Sequence, residues 1–164
     1  MIKDFLTLSK NASEFWCQRS FDTKLLTKEL YFLIEQLSSE PKFNKAIDLE
    51  KLKIDIHSIS DNLQEQSKYF CHRDFHSKNL MVHANNLVVI DFQDARLGSA
   101  SYDLVSLCFD VYVPLSTTQR LKMLSEEIQL LSENPNTKHI AEDVKKNWPS
   151  VYLQRQLKAI GSFL

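Results

Sequence analysis

Residues 70–82, FCHRDFHSKNLMV, set two histidines, an arginine, a lysine, an aspartate and an asparagine between apolar residues. Such groups are costly beside buried strand unless they are paired or put to use. The apolar flanks read as strand, with Tyr69-Phe70-Cys71 before the polar run and Leu80-Met81-Val82 after it. A third strand candidate, Leu87-Val88-Val89-Ile90-Asp91, follows His83-Ala84-Asn85-Asn86, a turn-forming group whose asparagines tolerate left-handed backbone. The polar run therefore lies on a loop just ahead of a small β-hairpin.

Outward from this stretch the period becomes helical. Residues 21–38 place Leu25, Leu26, Leu30, Leu33, Ile34 and Leu37 on one face, with Asp22 or Thr23 as N-cap and a stop near Pro41. Residues 43–66, with apolar positions from Phe43 through Ile56 to Leu63, read as a second, less regular helix. Downstream of Gly98, Tyr102 to Tyr112 reads as a buried helix ending before Pro114, and Thr117 to Leu131 as an amphipathic one. Ala141 to Trp148 reads as a short helix before Pro149, and Val151 to Leu164 as a last one that runs out without a stop signal.

Composition narrows the function classes. At 164 residues the chain can form one domain or one lobe of a larger protein, and 43% hydrophobic with 25% charged residues argues against wholesale disorder. A formal net charge of -1 gives no electrostatic ground to expect nucleic acid or an anionic membrane as partner. No apolar run reaches the length of a membrane span and the first ten residues are too polar for a signal peptide, so a cytoplasmic protein is the default expectation. Cys17, Cys71 and Cys108 are odd in number and widely spaced, which suggests buried reduced thiols rather than disulfides or a zinc knuckle. Only two glycines, Gly98 and Gly161, are present. A loop that cradles phosphates with backbone N–H groups needs several close together.

The residues that carry chemistry are His72-Arg73-Asp74, then Asn79 five positions after that aspartate, then Asp91 at the end of the second hairpin strand. This is the phosphoryl-transfer pattern in which a loop aspartate takes the acceptor hydroxyl's proton while an asparagine and a strand-end aspartate hold magnesium on the nucleotide phosphates. A hairpin between Asn79 and Asp91 returns the chain so that both oxygen ligands converge on one hard cation. His72 reads as an orienting, hydrogen-bonded histidine, since Asp74 already fills the base role. His72 and His76 are four apart, a zinc spacing on a helix, but the preceding strand argues against helical register. Arg73 and Lys78 read as solvated or carboxylate-paired, with Lys78 also a candidate phosphate contact. Asp103 opens the next helix as a cap or loop anchor. A metal-dependent hydrolase using His72, Asp74, His76 and Asp91 is the remaining enzymatic alternative.

With those residues in place the chain resembles the aminoglycoside phosphotransferase-like kinases. More narrowly, HRDFHSKNLMV (72–82), VVIDFQDARLGSASYDLVSL (88–107) and LQRQLKAIGSF (153–163) are similar to the bacterial cell-wall amino-sugar kinases that phosphorylate N-acetylmuramate and N-acetylglucosamine on the anomeric hydroxyl. The resemblance implies Asp74 as catalytic base, Asn79 and Asp91 as magnesium ligands, ATP as co-substrate, and Asp103 as a buried brace of the catalytic loop. Asp94 matches an acidic position near the site without an assigned role, and His76 and Lys78 are candidates to line it. Gln93 stands where protein kinases carry the glycine of their Asp-Phe-Gly motif, a difference shared with the sugar-kinase branch.

The expected fold is mainly α with a small β-hairpin, an α+β arrangement matching the C-terminal lobe of a protein kinase-like fold with the N-terminal lobe absent. It is expected as one domain over residues 1–164, with catalytic loop and metal hairpin at 69–98, helices at 21–66 and 100–164, and truncation at both ends. The expected partner is a small-molecule hydroxyl acceptor, an amino sugar by resemblance. The exposed lobe interface would meet the missing N-terminal lobe or a second copy of the chain, and a non-catalytic binding module is the alternative from another class.

Overall fold

The computed structural model describes residues 2–8, 14–39, 47–66 and 68–163. Six helices surround two short antiparallel ladders within them: α1 (Ile2–Leu6), α2 (Thr23–Ser39), α3 (Leu49–Glu65), β1 (Tyr69–Cys71), β2 (Leu80–His83), β3 (Asn86–Val89), β4 (Arg96–Gly98), α4 (Tyr102–Cys108), α5 (Thr117–Glu133) and α6 (Lys138–Phe163). Single 3-10 turns cover Phe15–Gln18 and Ser77–Asn79. The mainly helical α+β character expected from the sequence is present.

α2 starts where Asp22 caps it, its Oδ1 accepting from the Leu25 N–H at 2.7 Å. The helix buries Leu26, Leu30, Leu33, Ile34 and Leu37. The expected stop at Pro41 and the Phe43 start of the second helix lie outside the described residues. α3 begins at Leu49, capped by Asp48 accepting from the Lys51 N–H at 3.0 Å.

The hairpin pairs Leu80 with Val89 and His83 with Asn86. Its two-residue turn puts Ala84 and Asn85 at φ 47° and 60°. The left-handed positions thus include an alanine, where asparagine alone had been expected. A second ladder was not expected: β4 pairs with β1, Tyr69 opposite Gly98 and Cys71 opposite Arg96. Residues 19–21 extend it, with Phe21 N–H donating to Leu97 O and Leu97 N–H to Arg19 O, both at 2.9 Å. Gly98 is needed there for space, because a Cβ would lie 2.6 Å from Cys71 Sγ and 2.7 Å from Phe21 Cδ2.

Two expectations about helix ends are corrected. α4 stops at Cys108 rather than near Tyr112. Val111 and Val113 are β-branched and Val113 precedes Pro114, which disfavours helical backbone there. Arg120 then holds the turn, donating to the carbonyls of Cys108, Asp110, Val113 and Leu115 at 2.7–3.2 Å. Conversely, the two helices expected on either side of Pro149 are one, α6, which passes through it. Pro149 is exposed, so the lost N–H bond faces solvent, while Val144 and Val151 on the inner side are fully buried. Packing on both sides of the proline overrides its local preference.

The core forms two main clusters meeting under the polar loop. One joins Phe75, Leu104, Cys108, Leu124, Leu131, Ile140 and Val144; the other joins Phe21, Leu26, Leu63, Cys71, Tyr102, Val105 and Val151. Leu30, Ile34 and Ile56 make a smaller third. Cys71 and Cys108 are buried free thiols, as expected, whereas Cys17 is only half-buried. No helix among the described residues is long and apolar enough to cross a membrane.

Candidate active site

The polar loop is pinned from both sides by buried groups. Phe75 is fully buried, its ring edge-on to Phe5 at 5.4 Å, and this fixes the chain immediately after Asp74. On the other side Asp103, on the first turn of α4, accepts from the backbone N–H groups of His72 at 2.6 Å and Arg73 at 3.1 Å. Burial drives the Asp103 pKa up to about 6, partly offset by those two N–H donors. Of the two roles read from sequence, loop anchor is the one its contacts fit. The N-cap position is Ser101, which makes no side-chain cap bond.

Arg73 has a left-handed backbone, φ 80°, which a non-glycine residue adopts only when its surroundings hold it. Its guanidinium is ion-paired with Glu29 of α2 and lies 3.7 Å from Asp94 Oδ1. Its carbonyl accepts from Arg155 Nη1 at 3.1 Å. Asp94, half exposed, therefore faces Arg73. His72 is buried, and its Nε2 lies 2.9 Å from Ile90 O. A carbonyl only accepts, so that nitrogen carries the proton and the ring ties the loop to the strand end preceding Asp91.

Asp74, Asn79 and Asp91 come together. Asn79 Nδ2 donates to the Asp74 carbonyl at 2.8 Å and lies 3.5 Å from Asp91 Oδ2, while Ile90 N–H donates to Asn79 O at 3.1 Å. Asp91 is itself left-handed, φ 69°. Gln93 Nε2 donates to its Oδ1 at 2.7 Å, giving a function to the residue that replaces the kinase glycine. One amide oxygen and one carboxylate suit a hard cation that keeps its other positions for water and phosphate. The hydrolase alternative needs His72, Asp74, His76 and Asp91 on one metal. No three His, Cys, Asp or Glu side chains cluster in that way among the described residues.

A cavity of about 170 Å³ opens beside Asp74, between α4, the 109–112 turn and α6. His76 lines it, its ring edge-on to Tyr112 at 5.3 Å. Lys78 is exposed and sits 3.7 Å over the Tyr112 ring, a cation–π contact rather than an ion pair. Asp110, buried in the same wall, accepts from the N–H groups of Ser77 at 2.7 Å and Tyr112 at 2.8 Å. Burial raises its pKa, but the Ser77 and Tyr112 donors and nearby His76 outweigh that and lower it on balance. Sequence reading missed Asp110, Arg120, Glu29 and Arg155. The valines ahead of Pro114 signal the turn that carries Asp110, whereas Glu29 and Arg155 reach the loop from 44 and 82 positions away and leave no local trace. Burial pushes the Cys108 thiol up to about 12 and that of Cys71 well up, so neither serves as a nucleophile.

A loop aspartate braced from the helix behind it, next to an asparagine and a strand-end aspartate, is the arrangement of phosphoryl-transfer enzymes. Residues 9–132 match the family described as APH, phosphotransferase enzyme family, and the chain belongs to it. Among curated proteins it is similar to an N-acetylmuramate/N-acetylglucosamine kinase of Neisseria meningitidis serogroup B, 35% identical over 98 residues, 57% of this chain and 28% of that protein. Proteins of the same name from Pseudomonas aeruginosa and Pseudomonas putida match at 45% over 49 residues and 42% over 55. Those matches take in 30% and 34% of this chain. The chain spans between 14% and 28% of the length of these relatives.

Proposed function

We propose that the chain carries the catalytic loop of an ATP-dependent kinase acting on a small-molecule hydroxyl, the acceptor being the anomeric hydroxyl of a cell-wall amino sugar. The observation that carries this reading is the Asn79 amide, which joins the Asp74 backbone to the Asp91 carboxylate. Asp74, which lines the cavity, takes the proton of the sugar hydroxyl as its oxygen bonds to the γ-phosphorus and the bond from that phosphorus to the bridging oxygen breaks, releasing ADP. Asn79 and Asp91 would hold magnesium, which when bound supplies charge neutralisation on the nucleotide phosphates. His72 and Asp103 fix the loop in register, Arg73 anchors it to Glu29, and Asp94 adds to that anchor. The amino-sugar acceptor follows the names of the similar proteins, and a cytoplasmic setting is the one in which ATP and such sugars meet.

Phosphorus NMR of the chain with millimolar MgATP and N-acetylglucosamine or N-acetylmuramate tests the reading. A slowly accumulating sugar 1-phosphate is expected, with kcat lowered by about 10²–10⁴ in Asp74→Asn, the usual worth of a positioned general base. A signal insensitive to that substitution contradicts the role of Asp74.

A second reading, a binding module, is favoured by one feature. Met81 and Val88 on one side of the hairpin, Val82 and Leu87 on the other, and Phe92 beside it are exposed apolar side chains, with Val82 76% exposed. Association around the hairpin, with a nucleotide-clamping lobe or a second copy, would cover these side chains. No sugar phosphate from chain saturated with MgATP, together with concentration-dependent sedimentation, favours this second reading.

A further inference from the structure

Two of the charged groups lining the cavity beside Asp74, Lys158 and Asp110, are already engaged. Lys158 lies 3.3 Å from Glu29, which also holds Arg73. Asp110 has both carboxylate oxygens on backbone N–H groups. Arg155 is different. Its Nη1 donates to the Arg73 carbonyl and its guanidinium sits 4.8 Å over the Tyr102 ring, and among the described residues no carboxylate lies within ion-pair reach of it. A guanidinium carries five N–H donors, so most of its capacity is uncommitted. It lines the same cavity as Asp74, the residue that follows directly on the Arg73 carbonyl it binds. An unneutralised arginine in a partly enclosed cavity is a seat for an anion, with geometry suited to a carboxylate.

We infer that Arg155 is a specificity-determining residue that binds a carboxylate on the acceptor, so that the pocket prefers an anionic amino sugar to a neutral one. This rests on the acceptor-site reading above and deepens it. Of the two sugars in the names of the similar proteins, N-acetylmuramate carries a carboxylate on its lactyl ether and N-acetylglucosamine carries none. With the reacting hydroxyl at Asp74, the cavity then presents an acceptor of protons at one place and a cation at another, and an acidic sugar satisfies both. If Arg155 instead served the transferred phosphate, it would favour both sugars equally.

The test titrates the whole chain, by calorimetry at low ionic strength, with N-acetylmuramate, its methyl ester and N-acetylglucosamine. The acid is expected to bind about tenfold or more tightly than the ester, in line with a charge-assisted bond in a partly enclosed site. The ester should match N-acetylglucosamine, and added potassium chloride should narrow the gap. Arg155→Gln should bring acid and ester to parity, while Arg155→Lys keeps part of the difference. Equal binding of acid and ester to the unmodified chain overturns the inference while leaving the acceptor site standing. Binding of none of the three removes the acceptor-site reading itself, and the inference with it. The acid–ester comparison uses the native chain, so it stands even where Arg155→Gln fails to fold.

Discussion

At the scale of single residues the site depends on holding polar groups where they would not settle alone. Arg73 and Asp91 both take left-handed backbone, and each is held by named partners, Arg73 by Glu29, Asp103 and Arg155, and Asp91 by Gln93 and the Ile90 contact to His72. Asp103 shows the cost of that support. Burial raises its folded pKa from the ordinary 3.8 to about 6, so between those values the folded chain binds the extra proton. Its contribution therefore weakens as pH rises from about 4 to about 6, and ionisation at neutral pH works against the bonds it makes to the loop. Carbon-13 NMR of the aspartate carboxyls should show Asp103 titrating with a midpoint near 6; a midpoint below 4 would mean that the two backbone N–H donors outweigh burial. The juxtaposition of Asp74, Asn79 and Asp91 was legible, because their spacing is local and a hairpin returns the chain between them. Gln93 was seen as a substitution, but its bond to Asp91 was not, since nothing in sequence says where a glutamine amide points.

At the scale of elements the chain was readable wherever one period ruled and misread where packing overrode it. α2, the hairpin and α5 have clear periodicity and caps, including the reciprocal Ser116–Gln119 box at the start of α5. β4 is three residues long and acquires its strand character from pairing with β1 and with residues 19–21, which no local pattern announces. α6 passes Pro149 because its buried face continues on both sides. Gly98 ties the β1–β4 ladder to α2 through the space it leaves for Phe21 and Cys71. Gly98→Ala should destabilise the chain by about 1–3 kcal/mol, since both neighbours are buried ring and thiol with no free end to yield. Urea denaturation reads this directly, and an unchanged midpoint would show that the ladder relaxes without loss.

For the whole molecule, the described elements preceding β1 are helices and one 3-10 turn, and the only two glycines lie downstream of the 72–79 loop. Neither supplies a glycine-rich cover for nucleotide phosphates. On the proposed reading, a metal held by one carboxylate and one amide would depend on phosphate ligands to complete its shell, so nucleotide and metal should weaken together. Calorimetry is expected to give MgATP binding weaker than about 10 μM, roughly -7 kcal/mol; tighter binding would require a phosphate clamp elsewhere in the chain. The α+β architecture was legible from the alternation of periods. The cavity beside Asp74 was not, because it is assembled from the 74–76 loop, α4, the 109–112 turn and α6, segments up to about ninety residues apart that only the fold brings together.

The central claim is that Asn79 and Asp91 are the metal end of a phosphotransfer site that begins at Asp74. Titrating isotope-labelled chain with manganese and ATP, and following paramagnetic broadening of its amide resonances, tests this without requiring turnover. Broadening should begin at residues 79 and 91 and their neighbours in the hairpin, and be lost from that region in Asp91→Ala. Broadening centred elsewhere, or unchanged in Asp91→Ala, would contradict the account.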